Sequence, residues 1–416
     1  MSDIEDSFDY VDGFNIEETF GQEEPRDISI NLPQTTKNIE SVSSTEKAKV
    51  ELKKNELTIG NFSFPPGLFN KRLAILAMQG AGKSYTAGVL EEEMLDYINQ
   101  PGLTNVKLII IDPVGAHWGL RSHFPIHIFG GSHGDLPLDS KFGKSFANLS
   151  QTLDLSMVID LSSLDQDGML TFVTDFLNEI YILTSTTTHI ILEEADLFAP
   201  QRAISKLQKF SSAAVDSIVR RGRGKGIGVT MITQRPAVLN KNVLTQVDAS
   251  IIMNIVGETD LNTIREYFDS AGITKEDITK YIEKIIKFGK GSAFIFSPSW
   301  LKSVEEIKIR ERVSFHSGAE PELGKENTFD EVKLVPVNTD LIINIISGNT
   351  QHDVLKEIVL RKEKRKFYWE QDKEEINKFL DTSTSKTESK KGDTIATIFV
   401  LSMLFIIFAG IFSIIF

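Results

Sequence analysis

Cysteine is absent from this 416-residue chain, which excludes a disulfide framework, thiol chemistry and every cysteine-ligated zinc or iron–sulfur site. Also missing is a basic start followed by an apolar run, so no signal peptide is expected. No segment repeats at a fixed period. Positive charge is in deficit: 45 Lys and Arg stand against 58 Asp and Glu, for a net charge of −13. That balance argues against a protein that coats nucleic acid over its whole surface, yet it allows a local basic channel. What remains is ordinary for a folded chain, with 41% hydrophobic and 25% charged residues in a length that allows two or three domains.

The two ends depart from this average. Residues 1–30 hold ten acids against one base, Arg26, and residues 35–54 are rich in Ser, Thr, Lys and Glu. Such composition buries too little apolar surface to offset chain ordering, so residues 1–55 are expected to be an acidic disordered arm. Residues 394–416 carry no charge and are nearly all Ile, Leu, Phe, Val, Met or Ala. As a helix of ~1.5 Å per residue they reach about 34 Å, enough for a ~30 Å hydrocarbon core. With no polar face, they read as a single transmembrane tail anchor. Lys386, Lys390 and Lys391 precede it and place everything N-terminal in the cytoplasm. Residues 327–393 read as a charged helical linker. Its basic run Arg361–Lys366 is either a solvated helix face or a contact for anionic lipid or nucleic acid.

Between these ends, over residues 56–326, short apolar runs alternate with longer periodic segments. Strands are expected at Leu73–Met78, Val106–Asp112, Ile126–Phe129, Met157–Leu161, His189–Leu192, Ile227–Thr233, Ser250–Val256 and Ser292–Phe296. Helices are expected near 83–98, 140–152, 168–183, 203–221 and 258–270. Continuous apolar strands separated by helices indicate an α/β fold with a mainly parallel central sheet covered on both faces.

The strongest local signal is AMQGAGKS, Ala77–Ser84, where the first strand gives way to the first helix. Small residues let successive backbone N–H groups curl around a phosphate, and the helix N-terminus adds a favourable field. Gln79, Gly80, Ala81, Gly82, Lys83, Ser84 and Tyr85 are therefore candidates for binding ATP, with Lys83 on the β/γ-phosphates and Ser84 on Mg2+. Ala77 stands where the motif GxxxxGK[ST] has its first Gly, a tolerated variant because Gly80 and Gly82 remain. A second strand ends in Glu193-Glu194. Glu193 is expected to face the Mg2+ shell, and Glu194 the attacking water as general base. The commoner pair is Asp-Glu, so Glu193 sets its carboxylate one methylene further out.

Helix 203–221 runs into Arg220-Arg221-Gly222-Arg223-Gly224-Lys225. Cations at a helix C-terminus oppose its dipole, which accounts for one or two of these residues. Three arginines in four positions, directly before a strand, point to an arginine finger acting on a neighbouring subunit's nucleotide, Arg223 first and Arg220 or Arg221 next. Gln234 lies at a strand's C-terminal end, where ligands bind in such sheets, and is a candidate to sense the γ-phosphate or position water. His123, His127 and His133 cluster in sequence, but neither cysteine nor a recurring carboxylate spacing supports zinc. Trp118 and Arg121 either line a pore and touch DNA phosphates or pack a loop against the nucleotide site.

In these motifs the chain resembles the HerA/FtsK superfamily of hexameric DNA-pumping ATPases, and within it the bacterial and archaeal ATP-binding proteins with a HerA-type helicase central domain. The matching runs include LAMQGAGKSYT at 76–86, IDPVGAHWGLRS at 111–122, GGSHGDLPL at 130–138, LEEADLFAPQ at 192–201 and RRGRGKGIGVTMITQRPAVLNKNVLTQ at 220–246. Together they span roughly residues 65–325. The resemblance implies a RecA-like P-loop NTPase fold, a homo-hexameric ring, ATP sites between subunits and duplex DNA as the translocated polymer. The chain departs from the pattern at Ala77 and Glu193, and the acidic arm stands where better-studied members carry an N-terminal β-barrel. The expectation is a membrane-tethered, ring-forming ATPase that couples hydrolysis to DNA translocation. An ATP-gated membrane scaffold without translocation and a protein-translocating ATPase are the competing readings.

Overall fold

The computed structural model describes residues 55–318 apart from 102, 104 and 185, together with 332–340 and 342. The expected acidic arm before residue 55, the run Arg361–Lys366 and the tail anchor 394–416 lie outside the described residues. Among those described, no helix is long and apolar enough to cross a membrane.

A small antiparallel hairpin, β1 (Leu57–Thr58) and β2 (Ser63–Phe64), comes first. Then follow β3 (Arg72–Leu76), α1 (Lys83–Ile98), β4 (Val106–Asp112), β5 (His127–Gly130), α2 (Gly143–Thr152) and β6 (Met157–Asp160). The chain continues through α3 (Gln166–Leu183), β7 (Thr187–Leu192), α4 (Ala195–Phe198), α5 (Lys206–Arg221), β8 (Ile227–Thr233) and α6 (Lys241–Leu244). It closes with β9 (Ala249–Ile252), α7 (Glu258–Ser270), α8 (Lys275–Lys287), β10 (Ser292–Ser297) and β11 (Ser303–Lys308).

Among the described residues nine strands form one sheet in the order β11-β10-β9-β3-β8-β7-β4-β6-β5. Every pairing from β9 to β5 is parallel, and β10 and β11 add an antiparallel edge. This is an α/β fold built on a mainly parallel central sheet. Both faces are covered, and the period-2 alternation of strand side chains is plain: Ala74, Leu76, Ile109 and Ile111 enter one core, Leu73, Ile75, Leu108 and Ile110 the other. The strand expected to reach Val256 stops at Ile252. Two residues on, Asn254 gives its carbonyl to the Met78 amide at 2.8 Å and its side-chain amide to the Ile285 and Ile286 carbonyls, so the chain is tied down and leaves the sheet.

After β11 the chain returns as a strap across α1. Arg310 pairs with Glu92 at 2.7 Å and Glu93 at 2.9 Å, while the Val313 and Ser314 amides and the Ser314 hydroxyl all donate to Glu92. Burial opposes the Glu92 charge, but these donors outweigh it and hold the carboxyl below its usual range. Residues 332–340 include Val335, whose amide donates to the Arg121 carbonyl at 2.7 Å, and Ile342 is buried in the core. Packing against the domain thus continues past residue 326.

His189 in β7 is fully buried, with Nδ1 donating to the Phe69 carbonyl at 3.1 Å and Nε2 accepting from the Thr230 hydroxyl at 2.8 Å. Burial pushes its pKa down to about 4. The unfolded imidazole titrates near 6.5, so between these values the unfolded state binds the extra proton and stability falls as pH falls. The expected loss by pH 4 is about 3 kcal/mol relative to His189→Gln, read by urea unfolding between pH 7 and 4. Identical pH slopes in the two proteins would remove His189 as the cause.

Candidate functional site

The site forms where β3, β8 and β7 end. The strand that feeds the glycine-rich loop and the strand that ends in two glutamates are separated by β8, which opens a crevice at their carboxyl ends, the position where open α/β sheets bind ligands. Gly80 (φ 77°) and Gly82 (φ 96°) take left-handed conformations that favour glycine. Gly82 also precedes the first turn of α1, whose leading amides have no carbonyl partner inside the helix. Together with the helix dipole they make an anion-binding end.

Lys83 stands at the centre. Its Nζ lies 2.9 Å from Glu193 Oε1 and 2.7 Å from Glu194 Oε1. Burial opposes its charge, but the two carboxylates outweigh this and raise its pKa. Glu194 is turned into place by a left-handed backbone (φ 47°, ψ 50°) at the start of α4, a conformation that costs on the order of 1–3 kcal/mol for a non-glycine residue. Burial raises its carboxyl while Lys83 pulls it down, and burial wins. Ser84 Oγ is 3.4 Å from Glu193 Oε1. Glu193, 2% exposed, keeps its second oxygen without a hydrogen-bond partner among the described residues.

Behind Glu193 lies a buried polar cluster that the sequence did not reveal. Asp112 ends β4 and takes the Val114 and Gly115 amides on Oδ1 and the His117 amide on Oδ2. His117 Nδ1 is 2.9 Å from Glu91 on α1, and its Nε2 is 3.8 Å from Glu193 Oε2, an ion-pair distance but no hydrogen bond. Burial opposes the imidazolium, but Glu91 and Asp112 outweigh it and push His117 up to about 10. Burial pushes Asp112 up to about 6 against the pull of His117.

Gln79, Gly80, Gly82, Lys83, Ser84, Tyr85, Glu193, Glu194 and Gln234 all line one cavity of about 900 Å3. Ala81 is buried beneath the loop. The end of β11, the strap and the loop before β10 complete the wall with Lys308, Arg310, His316 and Lys290, none of which any motif marked. Tyr85 accepts the Arg312 amide through its hydroxyl at 2.8 Å and meets the edge of His316. Burial, with help from Arg312 and His117, pushes His316 down to about 4.

Arg223 is not in this cavity. It sits at the N-terminal end of β8, so roughly 20 Å of strand separates it from the chain's own glycine-rich loop. Arg220 is occupied by Asp216 at 2.7 Å, and Arg221 donates to Ser217 while lying over the Tyr181 ring at 5.2 Å. Arg223 is exposed and has no side-chain partner among the described residues. Trp118 is buried and stacked on His133 at 3.8 Å, and Arg121 pairs with Asp135. Within the chain both side chains hold loops in place. His127 lies 3.7 Å from the same Asp135, and His123 meets the edge of Phe124.

Residues 65–128 match the family described as "Helicase HerA, central domain". Over 178 residues the chain is 30% identical to the DNA double-strand break repair helicase HerA of Sulfolobus acidocaldarius, covering 41% of this chain and 34% of that one. Over 156 residues it is 28% identical to the probable helicase MJECL08 of Methanocaldococcus jannaschii, covering 34% and 28%. The chain thus spans about a third of the length of these relatives. Among solved structures, the genome packaging NTPase B204 of Sulfolobus turreted icosahedral virus 2 in complex with ATP-gammaS overlaps with a TM-score of 0.41 at 16% identity, covering 58% of this chain and 98% of that one. VirB4 of Thermoanaerobacter pseudethanolicus overlaps with a TM-score of 0.39 at 13% identity, covering 64% and 98%.

Proposed function

We propose, from a central segment of the HerA/FtsK type, that this chain is an ATP-hydrolysing motor that assembles as a ring, a homo-hexamer, and moves duplex DNA. In this reading residues 394–416 hold it at the cytoplasmic face of a membrane. The observation that carries hydrolysis is Lys83 clasped between Glu193 and Glu194 inside one cavity at the strand ends. A lysine held by two carboxylates is a preformed cation whose partners triphosphate oxygens can replace.

On nucleotide binding Lys83 leaves the glutamates for the β/γ-phosphates, which frees Glu194 to accept a proton from water. Ser84 and Glu193 offer the hard oxygen donors that Mg2+ takes, and the unpartnered Glu193 oxygen fits that role. Mg2+ bound there would neutralise phosphate charge. Gln234, on the cavity wall at the end of β8, is placed to hold the attacking water. A ring is supported by Arg223, which is exposed, unpaired among the described residues and out of reach of its own site. DNA as cargo is supported by the relatives, which are named as helicases. The membrane tether rests on the uncharged composition of residues 394–416.

The test is steady-state ATPase of the full chain with and without linear duplex DNA at low salt. The expected result is a several-fold stimulation that weakens as salt rises, because phosphate contacts release counterions. Hydrolysis indifferent to DNA would favour an ATP-gated membrane scaffold or a protein-moving ATPase. No hydrolysis at all would overturn the enzymatic reading.

A further inference from the structure

We propose that His117 is the positioning residue for Glu193, and that this pairing lets a glutamate work where the shorter aspartate is usual. The proposal rests on the site being an ATP and Mg2+ site. Glu193 is almost wholly removed from water, and a buried carboxylate needs partners on both oxygens. Its Oε1 has Lys83 and Ser84. Among the described residues its Oε2 has no hydrogen bond, and His117 Nε2, likewise without one there, lies 3.8 Å away.

The two orphans face each other. Lys83 cannot be the lasting support, because the phosphates draw it away. Among the described residues, His117 is the other basic group within ion-pair distance of Glu193.

His117 is also unable to swing aside. Its Nδ1 is fixed on Glu91, its amide on Asp112, and its carbonyl accepts the Leu120 amide at 3.2 Å. The ring is held by α1 on one side and by the loop after β4 on the other, with Nε2 aimed at the end of β7. An aspartate at 193 would draw the carboxylate back by about 1.5 Å, one carbon–carbon bond. It could then keep either the Ser84 side or the His117 side, not both.

Two near-isosteric variants separate the roles of the ring nitrogens. The amide of His117→Asn falls near Nδ1 and keeps Glu91, whereas that of His117→Gln reaches the Nε2 position and can meet Glu193. The readouts, made on the full chain, are the Mg2+ concentration for half-maximal binding of a fluorescent ADP analogue, the same quantity for turnover, and the thermal midpoint. Outer-shell partners typically contribute 10–100-fold to metal affinity. His117→Asn is therefore expected to raise both Mg2+ midpoints about tenfold, leaving nucleotide binding without Mg2+ unchanged. His117→Gln should recover most of the loss, and Glu193→Asp should add nothing in the His117→Asn background.

Equal shifts in the Asn and Gln variants, wild-type midpoints in His117→Asn, or independent multiplication of the two substitutions would overturn the proposal. Should His117→Asn fail to fold, Glu193→Asp alone tests the same arrangement from the other side, because the shorter side chain cannot hold Ser84 and His117 together, and wild-type Mg2+ midpoints there would overturn it equally. A wild-type chain that binds ADP with no Mg2+ dependence would instead sink the metal-site reading, and the pairing with it.

Discussion

Glu194→Gln is expected to bind ATP at least as tightly as the wild-type chain and to turn it over about 10²–10⁴ times more slowly. The first half follows from the 2.7 Å contact between Lys83 and Glu194, which must break before the lysine can reach a phosphate. Glutamine keeps the shape but removes the charge, so Lys83 is released at lower cost. The second half follows because an amide cannot accept the proton of water, and the left-handed backbone that delivers residue 194 is unaffected. Nucleotide titration by fluorescence and phosphate release from the same preparation check both halves. Lys83→Ala is the contrast and should lose affinity as well as turnover. If Glu194→Gln turned over at the wild-type rate, the base would have to be sought elsewhere on the cavity wall.

Arg223→Ala is expected to lower turnover about 10³-fold or more, the usual contribution of an arginine supplied in trans, without changing nucleotide affinity in the isolated chain. The two readouts part because Arg223 lies at the opposite end of β8 from its own glycine-rich loop. Its neighbours provide internal controls. Arg220 and Arg221 are already engaged by Asp216, Ser217 and Tyr181, so their alanine variants should show smaller losses. Mixing Arg223→Ala with Lys83→Ala should restore part of the activity, since an assembly of both contains intact composite sites. Failure of the mixture to recover anything would argue that each chain acts alone.

Much of this arrangement could be read before the structure. Short, mostly apolar runs such as Val106–Asp112 and Ile227–Thr233, rich in β-branched residues, read as strands buried on both faces, and both appear as such. The glycine-rich loop and Glu193-Glu194 were visible because their chemistry is compressed into adjacent residues. What escaped notice was spread out or disguised. Strand β11, SVEEIK, is mostly exposed and carries no continuous apolar run. Helix α8 buries only Ile278, Ile282 and Ile285, a narrow stripe among charges. Glu91 and Glu92 look like a solvated acidic run in the helix, yet both are fully buried, each answered by a basic side chain far away in sequence, His117 and Arg310. Pairing of this kind depends on tertiary distance, and no local pattern encodes it. Trp118 and Arg121 were ambiguous for the same reason. Asp135, Val335 and His133, which they contact, come from other segments of the chain.

Strand β8 has a consequence beyond its place in the sheet. All seven of its residues are buried, and it is bonded to β3 on one side and β7 on the other. At one end it leads out of the turn that holds Arg223, and at the other it delivers Gln234 to the cavity. A strand clamped along both edges can neither bend nor slide alone without breaking ladder bonds on two sides, so it moves with β3 and β7 as one stiff rod. Should Arg223 grip the nucleotide of the next subunit, loss of a phosphate there would tug one end of the rod and shift the other among this subunit's own phosphates. The timing of firing around such a ring would then pass through the middle of each subunit's sheet.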